Sequence, residues 1–344
     1  LPIKPRRHTA RNHKIHNTLM LRKTVYFFGF IFFGLTFWMC KSLPDLNQYV
    51  STPIPIDNPM DSAKIALGKA LFFDTRLSKD NTINCASCHK PGLAFTDGQK
   101  TSTGINGQKT DRNSPSLLNA GFLPTVMFDA HLKTLELQVL VPLQEPSEMG
   151  HNMRQLTPLL RKDSVYQKAA QDIYGRDFDA WVLTRSIAAF ERSLISMSSP
   201  YDHFINGDAT ALSKKEQAGL QLFSEKLYCT ECHVPPYFTN YEARNNGLYL
   251  DYGSDKGRFR INQDSSEIGH FKVPSLRNIE HTAPYMHDGN FASLEEVIDH
   301  YARGGAGHRL QDPIIKPFTL SKKEREALIS FLYALTDLSF AERL

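Results

Sequence analysis

The chain has 344 residues, 41% of them apolar, which is enough to bury a sizeable core and to divide into two domains. Its formal charge of +4 misleads, because residues 1–40 hold seven basic side chains and no acid; without them 33 basic residues face 36 acidic ones, a net of −3. The basic excess therefore belongs to a leader, and charge gives no case for a nucleic-acid partner.

Within that leader, Met20-Leu21-Arg22-Lys23 reads as a start and a charged n-region, followed by an uncharged apolar run from Val25 to Met39. The run is short for a membrane span, which takes about 20 residues, and suits a secretory signal. Cys40 follows it directly and resembles the lipidated cysteine of a bacterial lipoprotein, although Phe37-Trp38-Met39 is a bulky approach. An uncleaved anchor and ordinary cleavage stay open beside lipidation. Residues 41–60, rich in proline and polar side chains, read as a tether.

Asp61 to Phe73 has helical spacing (Ile65, Leu67, Leu71, Phe72), and a polar loop then delivers Cys85-Ala86-Ser87-Cys88-His89. Two thiols at this spacing can form thioethers to the vinyl groups of one haem, with the adjoining histidine placed to ligate its iron. A second copy stands at Cys229-Thr230-Glu231-Cys232-His233, and zinc knuckles or a thioredoxin-like pair are the alternatives. Attachment of this kind resembles that of proteins matured outside the cytoplasm, which agrees with a periplasmic location.

Gly92 to Pro115 is a long stretch with little apolar periodicity, of the sort that usually serves a site. Helical patterns resume at 132–141, 154–173 and 179–197, and Asn206-Gly207 marks a domain boundary. Capping boxes at Ser213/Glu216, Ser293/Glu296 and Ser321/Glu324 each head a helix, the first running to about Glu225. No sustained alternating strand appears. Gly68-Lys69-Ala70-Leu71-Phe72 is echoed by Gly219-Leu220-Gln221-Leu222-Phe223, so two related helix-plus-haem units are expected.

The run Ala66 to Asp74, the motif Cys85 to His89, Arg112-Asn113-Ser114-Pro115, Val273-Pro274-Ser275-Leu276-Arg277-Asn278 and Pro284-Tyr285-Met286-His287-Asp288-Gly289 together resemble the bacterial dihaem cytochrome c peroxidase and MauG superfamily. The likeness extends over residues 57–335. It implies a mainly α protein of two cytochrome c-like domains, each with one covalently bound haem c: a peroxidatic domain at 61–206 and an electron-transfer domain at 207–344.

The resemblance also assigns site residues. The position of the histidine that often caps the first haem falls on Ile105, which cannot ligate iron, and no histidine lies between His89 and His131, so that haem is expected to be open at rest. The second haem takes a methionine or a tyrosine in the family. Counting fourteen positions from His287 gives Tyr301, with Met286 and His300 as competitors. Glu148 matches the proton-shuttling glutamate, Gln138 would line the peroxide pocket, and Pro142 would leave the sixth position clear. A calcium ion is implied between the domains, held by the Asn113 side chain and the carbonyls of Thr282 and Pro284; a plain turn role for Asn113 is the alternative. Where relatives have a tryptophan between the haems this chain has Phe128, which is much harder to oxidise.

These features imply an enzyme that reduces hydrogen peroxide to water with electrons from a small donor such as a cytochrome c. One alternative is MauG-like, peroxide-dependent oxidation of a partner protein; the other is an electron-transfer cytochrome without catalysis. A homodimer is a family expectation, as is tethering to a membrane through Cys40.

Overall fold

The computed structural model describes residues 53–337 and Ser339; the start at Met20, the lipidation candidate Cys40 and the tether up to residue 52 lie outside the described residues. Helix α1, Ser62–Phe72, begins where the sequence places it, with the Asp61 carboxylate accepting from the amides of Ala63 and Lys64. Helix α2, Cys85–Cys88, is one turn carrying the first haem motif. Two short helices, α3 (Leu135–Gln138) and α4 (Leu140–Gln144), replace the expected 132–141, because Leu132 is drawn into a bridge with Val126 and Thr134 caps the helix start.

The expected helix over 154–173 is two helices, α5 (Met153–Arg161) and α6 (Ser164–Tyr174). Asp163 breaks it: its carboxylate caps the amide of Val165 at 2.9 Å and pairs with Arg76 at 3.0 Å. Helix α7, Ala180–Arg192, stops short of the expected Met197 because Asn119 takes the backbone beyond it. The Asn119 amide donates to the Leu194 carbonyl, and its side chain bonds both the N–H and the C=O of Ser196.

Helix α8, Pro200–Ile205, opens the second half, followed by α9 (Lys214–Gln221), which continues through a wider turn over Leu222–Lys226. A two-residue antiparallel ladder joins β1 (Ala243–Arg244) to β2 (Phe271–Lys272), with α10 (Phe259–Asn262) between them. Helices α11 (Leu294–Ala302) and α12 (Lys322–Tyr333) complete the chain, and all three expected capping boxes form, at Ser213, Ser293 and Ser321. Among the described residues no helix is long and apolar enough to cross a membrane.

The echo in the sequence is a repeat in space. At the α1/α7 crossing a Cβ on Gly68 would lie 1.9 Å from the Ser186 carbonyl oxygen; at the α9/α12 crossing one on Gly219 would lie 2.0 Å from that of Ala327. Only glycine lets the paired backbones approach this closely. Behind each crossing sits the same aromatic triad. Phe72 packs edge-on to Phe95 and Phe190 at 6.1 and 5.1 Å, and Phe223 lies 6.0 and 5.3 Å from Phe238 and Phe331. Burial of each ring contributes about 1.5–3 kcal/mol.

From Asn113 to Pro142 the first half maps onto Lys272 to Tyr301 at a constant offset of 159 residues. Matching short 3-10 turns, the bridges Val126/Leu132 and Tyr285/Phe291, and left-handed residues at Asn119/Asn278, Met127/Met286 and Ala130/Gly289 all fall at that offset. Asn278 repeats the clamp of Asn119, bonding the Leu335 carbonyl and the Asp337 amide. It also donates to the Ser196 hydroxyl at 2.7 Å, so the buried Ser196 is held by both asparagines and joins the halves.

Candidate active site

Both C-x-x-C-H motifs present their histidines in the same way. The His89 amide bonds the Cys85 carbonyl at 2.9 Å and the His233 amide that of Cys229 at 2.8 Å, which turns each ring back under its own cysteines. Nδ1 of His89 lies 2.9 Å from the Phe95 carbonyl oxygen, and Nδ1 of His233 lies 3.1 Å from that of Phe238. A carbonyl only accepts, so Nδ1 carries the proton and Nε2 keeps a free lone pair, the arrangement an iron-ligating histidine needs. Burial lowers the pKa of both imidazoles and holds them neutral. The accepting strands are held by serines as well: Ser116 donates to the Ala94 carbonyl at 2.5 Å and Ser275 to that of Tyr237 at 2.6 Å.

None of the four motif cysteines is paired in a disulfide, and among the described residues no group of three or more His, Cys, Asp or Glu converges as a zinc knuckle would require. Around the second motif lies a largely apolar cavity of about 350 Å³, whose wall includes Cys229, Cys232, His233, Phe223, Leu276 and Leu328. An apolar chamber with two thiols and one imidazole at its edge fits a covalently attached haem.

Tyr301 stands on the wall of the same cavity. Burial pushes its hydroxyl up to about 12 against a hydrogen bond with Asn246 that lowers it, and the Cys232 and Cys229 thiols also act on it. Met286 lines the cavity too, its sulfur accepting from Asn246 Nδ2 at 3.3 Å. His300 is fully buried with Nε2 3.0 Å from the Asn246 carbonyl oxygen, and it is absent from the cavity wall. One step along α11 turns a side chain by about 100°, which separates His300 from Tyr301.

In the first half, Gln138 ends α3 and Pro142 lies within α4. The chain then folds back over α4: the Met149 amide bonds the Pro142 carbonyl at 3.1 Å and the His151 amide that of Leu143 at 2.7 Å. This turn carries Glu148, whose carboxyl is pushed up to about 7 by burial and, secondarily, by Glu145. Burial chiefly raises the Cys88 thiol, with smaller contributions in the same direction from Asp97 and Glu148. Ile105 is buried against the turn, its amide bonding the Glu148 carbonyl at 2.8 Å; a Cβ on Gly104 would sit 2.0 Å from the Ser147 carbonyl oxygen. The Gln138 side-chain amide has no hydrogen-bond partner among the described residues, while its backbone amide bonds the Thr134 carbonyl at 3.1 Å. At the repeat offset, Pro142 is the counterpart of Tyr301.

The calcium candidates Asn113, Thr282 and Pro284 all line the cavity, and the Asn113 side chain donates to the Gln99 carbonyl at 2.8 Å. Phe128 reaches the wall as well, and its carbonyl accepts from the Lys272 amide at 2.7 Å. Sequence reasoning missed a charge network beside them: fully buried Asp129 pairs with Arg112 and Arg260, both at 2.8 Å, and Arg112 also pairs with Asp255 at 2.6 Å. It also missed the buried bidentate pair of Arg277 with Asp202, at 2.7 and 2.8 Å. Repetition of Pro-Ser-Leu-x-Asn at Pro115 and Pro274 was the available signal for the clamps, whereas nothing local marks Asp202 or Asp129 as buried.

The family described as di-haem cytochrome c peroxidase matches residues 62–210. The methylamine utilization protein MauG of Methylorubrum extorquens is 34% identical over 287 residues, covering 83% of this chain and 81% of that protein. Cytochrome-c peroxidase IdrP1 of a Pseudomonas species is 32% identical, covering 85% and 86%. Among solved structures, a MauG-like protein associated with microbial copper homeostasis superposes with a TM-score of 0.81 at 36% identity, covering 87% of this chain and 97% of the other. With paired haem cradles on a repeated helical frame and full-length relatives at this identity, the chain belongs to the di-haem cytochrome c peroxidase family.

Proposed function

We propose that this protein reduces hydrogen peroxide to water with electrons from a small donor protein such as a cytochrome c. One observation carries the proposal: two equal histidine cradles stand in a repeated chain whose matching positions differ, Pro142 in the first half where the second has Tyr301. The haem iron supplies, when bound, the site of O–O cleavage and of electron passage. Pro142 has no ligating atom and leaves room for peroxide, Gln138 orients it with its unpartnered amide, and Glu148 takes a proton from one peroxide oxygen and returns it to the other. A carboxyl titrating near 7 suits both halves of that transfer.

Tyr301 closes the second centre in this proposal, with residues 61–206 and 207–344 forming the peroxidatic and electron-transfer domains. A calcium ion at Asn113, Thr282 and Pro284, a periplasmic location, a lipid on Cys40 and a homodimer belong to the same proposal. Electron paramagnetic resonance of the oxidised, haem-loaded chain tests it. One high-spin and one low-spin ferric signal, with Tyr301→Phe altering only the latter, is expected; two low-spin signals untouched by the substitution would put the electron-transfer cytochrome first.

A second proposal has its own support. Tyr301 on the cavity wall and the 34% identity to a MauG favour peroxide-dependent oxidation of a partner protein. Steady peroxide consumption with reduced cytochrome and no other protein would leave the donor-cytochrome function standing alone.

A further inference from the structure

We infer that Lys272 is the counter-cation for a carboxylate of the haem attached at Cys229 and Cys232. The inference rests on the haem assignment above and concerns a residue that assignment did not use.

Lys272 ends β2 and stands on the wall of the cavity that also holds Cys229, Cys232, His233 and Tyr301. Phe271 before it reaches the same wall, its ring stacked on His287 at 3.7 Å. Its backbone is fixed by the bond from its amide to the Phe128 carbonyl. Its ammonium has no hydrogen-bond or ion-pair partner among the described residues, and burial is the one influence on it, lowering its pKa to about 8. Of the other side-chain cations on that wall, Lys316 is solvent-exposed and the two arginines are already matched. Arg277 is bidentate to Asp202, and Arg244 pairs with Glu242 and Asp312.

An ammonium half-buried in a largely apolar wall with no anion beside it is costly unless a ligand supplies the charge. A haem bound through its vinyl groups brings two carboxylates, and no protein carboxylate acts on this ammonium. The repeat sharpens the point, since the counterpart of Lys272 is Asn113, a neutral amide already tied to the Gln99 carbonyl. The positive charge is therefore particular to the second half. A fixed cation beside a haem favours its reduced, less positive state, and so opposes the lowering of potential that a phenolate ligand would impose.

The test uses the full chain carrying both haems, as Lys272→Met, Lys272→Gln and Lys272→Arg, with haem content measured first. Failure of the wild type to carry two haems would sink the haem assignment itself and is seen before any variant is compared. Spectroelectrochemical titration, with each haem followed by its own spin-state signal, is expected to show a downward shift of the His233 haem potential in Lys272→Met and Lys272→Gln. The His89 haem should hold its value, and Lys272→Arg should restore the wild-type potential. Unchanged potentials in the neutral variants, or a shift confined to the His89 haem, would overturn the inference. Should both neutral variants lose the second haem, retention of two haems by Lys272→Arg supports the role of charge, and its loss there too overturns it.

Discussion

The two halves of this chain share a frame and differ on the faces that frame presents. Each has a glycine-mediated helix crossing, a phenylalanine triad, a histidine bonded to a downstream carbonyl and an asparagine clamping its last helix. At the repeat offset the pairing is unequal: Pro142 matches Tyr301, Asn113 matches Lys272, and Phe128 matches His287. Parts that hold a haem were kept, and parts that decide what it does were changed. Division of labour thus needs only a few positions, because the frame fixes where any substituted side chain will stand.

The largest test of that asymmetry is Glu148→Gln, which removes the proposed proton carrier, a carboxyl whose counterpart at the repeat offset is Gly307. Peroxide turnover is expected to fall by about 100- to 10,000-fold with the haems still loaded. In the wild type the rate should rise as pH passes about 7, since the carboxylate is the form that accepts the proton; the substituted enzyme should lose that step. Steady-state peroxide assays across pH read both outcomes.

Next in size, the second half spends a buried ion pair where the first has Leu118. Arg277→Leu strands the Asp202 carboxylate and is expected to cost about 3–5 kcal/mol, with much of it recovered when Asp202→Asn is added. Urea unfolding of the loaded protein measures this, and no recovery in the double variant would mean that packing, not charge, sets the cost.

Gly68→Ala and Gly219→Ala each push a Cβ into a backbone carbonyl, and each is expected to lose about 1–3 kcal/mol or more. Near-equal losses would confirm the parity of the two crossings in thermal unfolding; a large difference would break it.

The smallest effect comes from Glu191, whose counterpart in the second half is Leu332. Burial and the neighbouring Glu136 push its carboxyl up to about 8. Its folded pKa therefore lies above the unfolded value near 4.5, so the folded state binds the extra proton between them. Its contribution is full below about pH 4.5 and is lost as pH rises through about 8. Glu191→Gln should flatten the fall in melting temperature over that window.

Much of the frame was legible in the sequence because it rests on short-range rules. Asp61, Ser213, Ser293 and Ser321 cap the helices their spacing announces, and the Gly68/Gly219 echo marks both crossings. Helix ends were less legible where a distant side chain intervenes, as Asn119 does at Ser196 and Arg76 does at Asp163. Lys272 stood directly before a recognisable motif, Val273 to Asn278, yet carried no sign of its role. Its isolation depends on which acids reach the cavity, and only the tertiary structure determines that.

The crossings at Gly68 and Gly219 have a topological consequence. Since α1 crosses α7 and α9 crosses α12, a helix near the start of each haem unit meets one near its end, like a ring with a single gap. Such a ring can be copied end to end without rethreading, because the next begins where the previous one closes. A one-haem ancestor of this shape could double in a single tandem duplication, leaving the buried Ser196 as the weld.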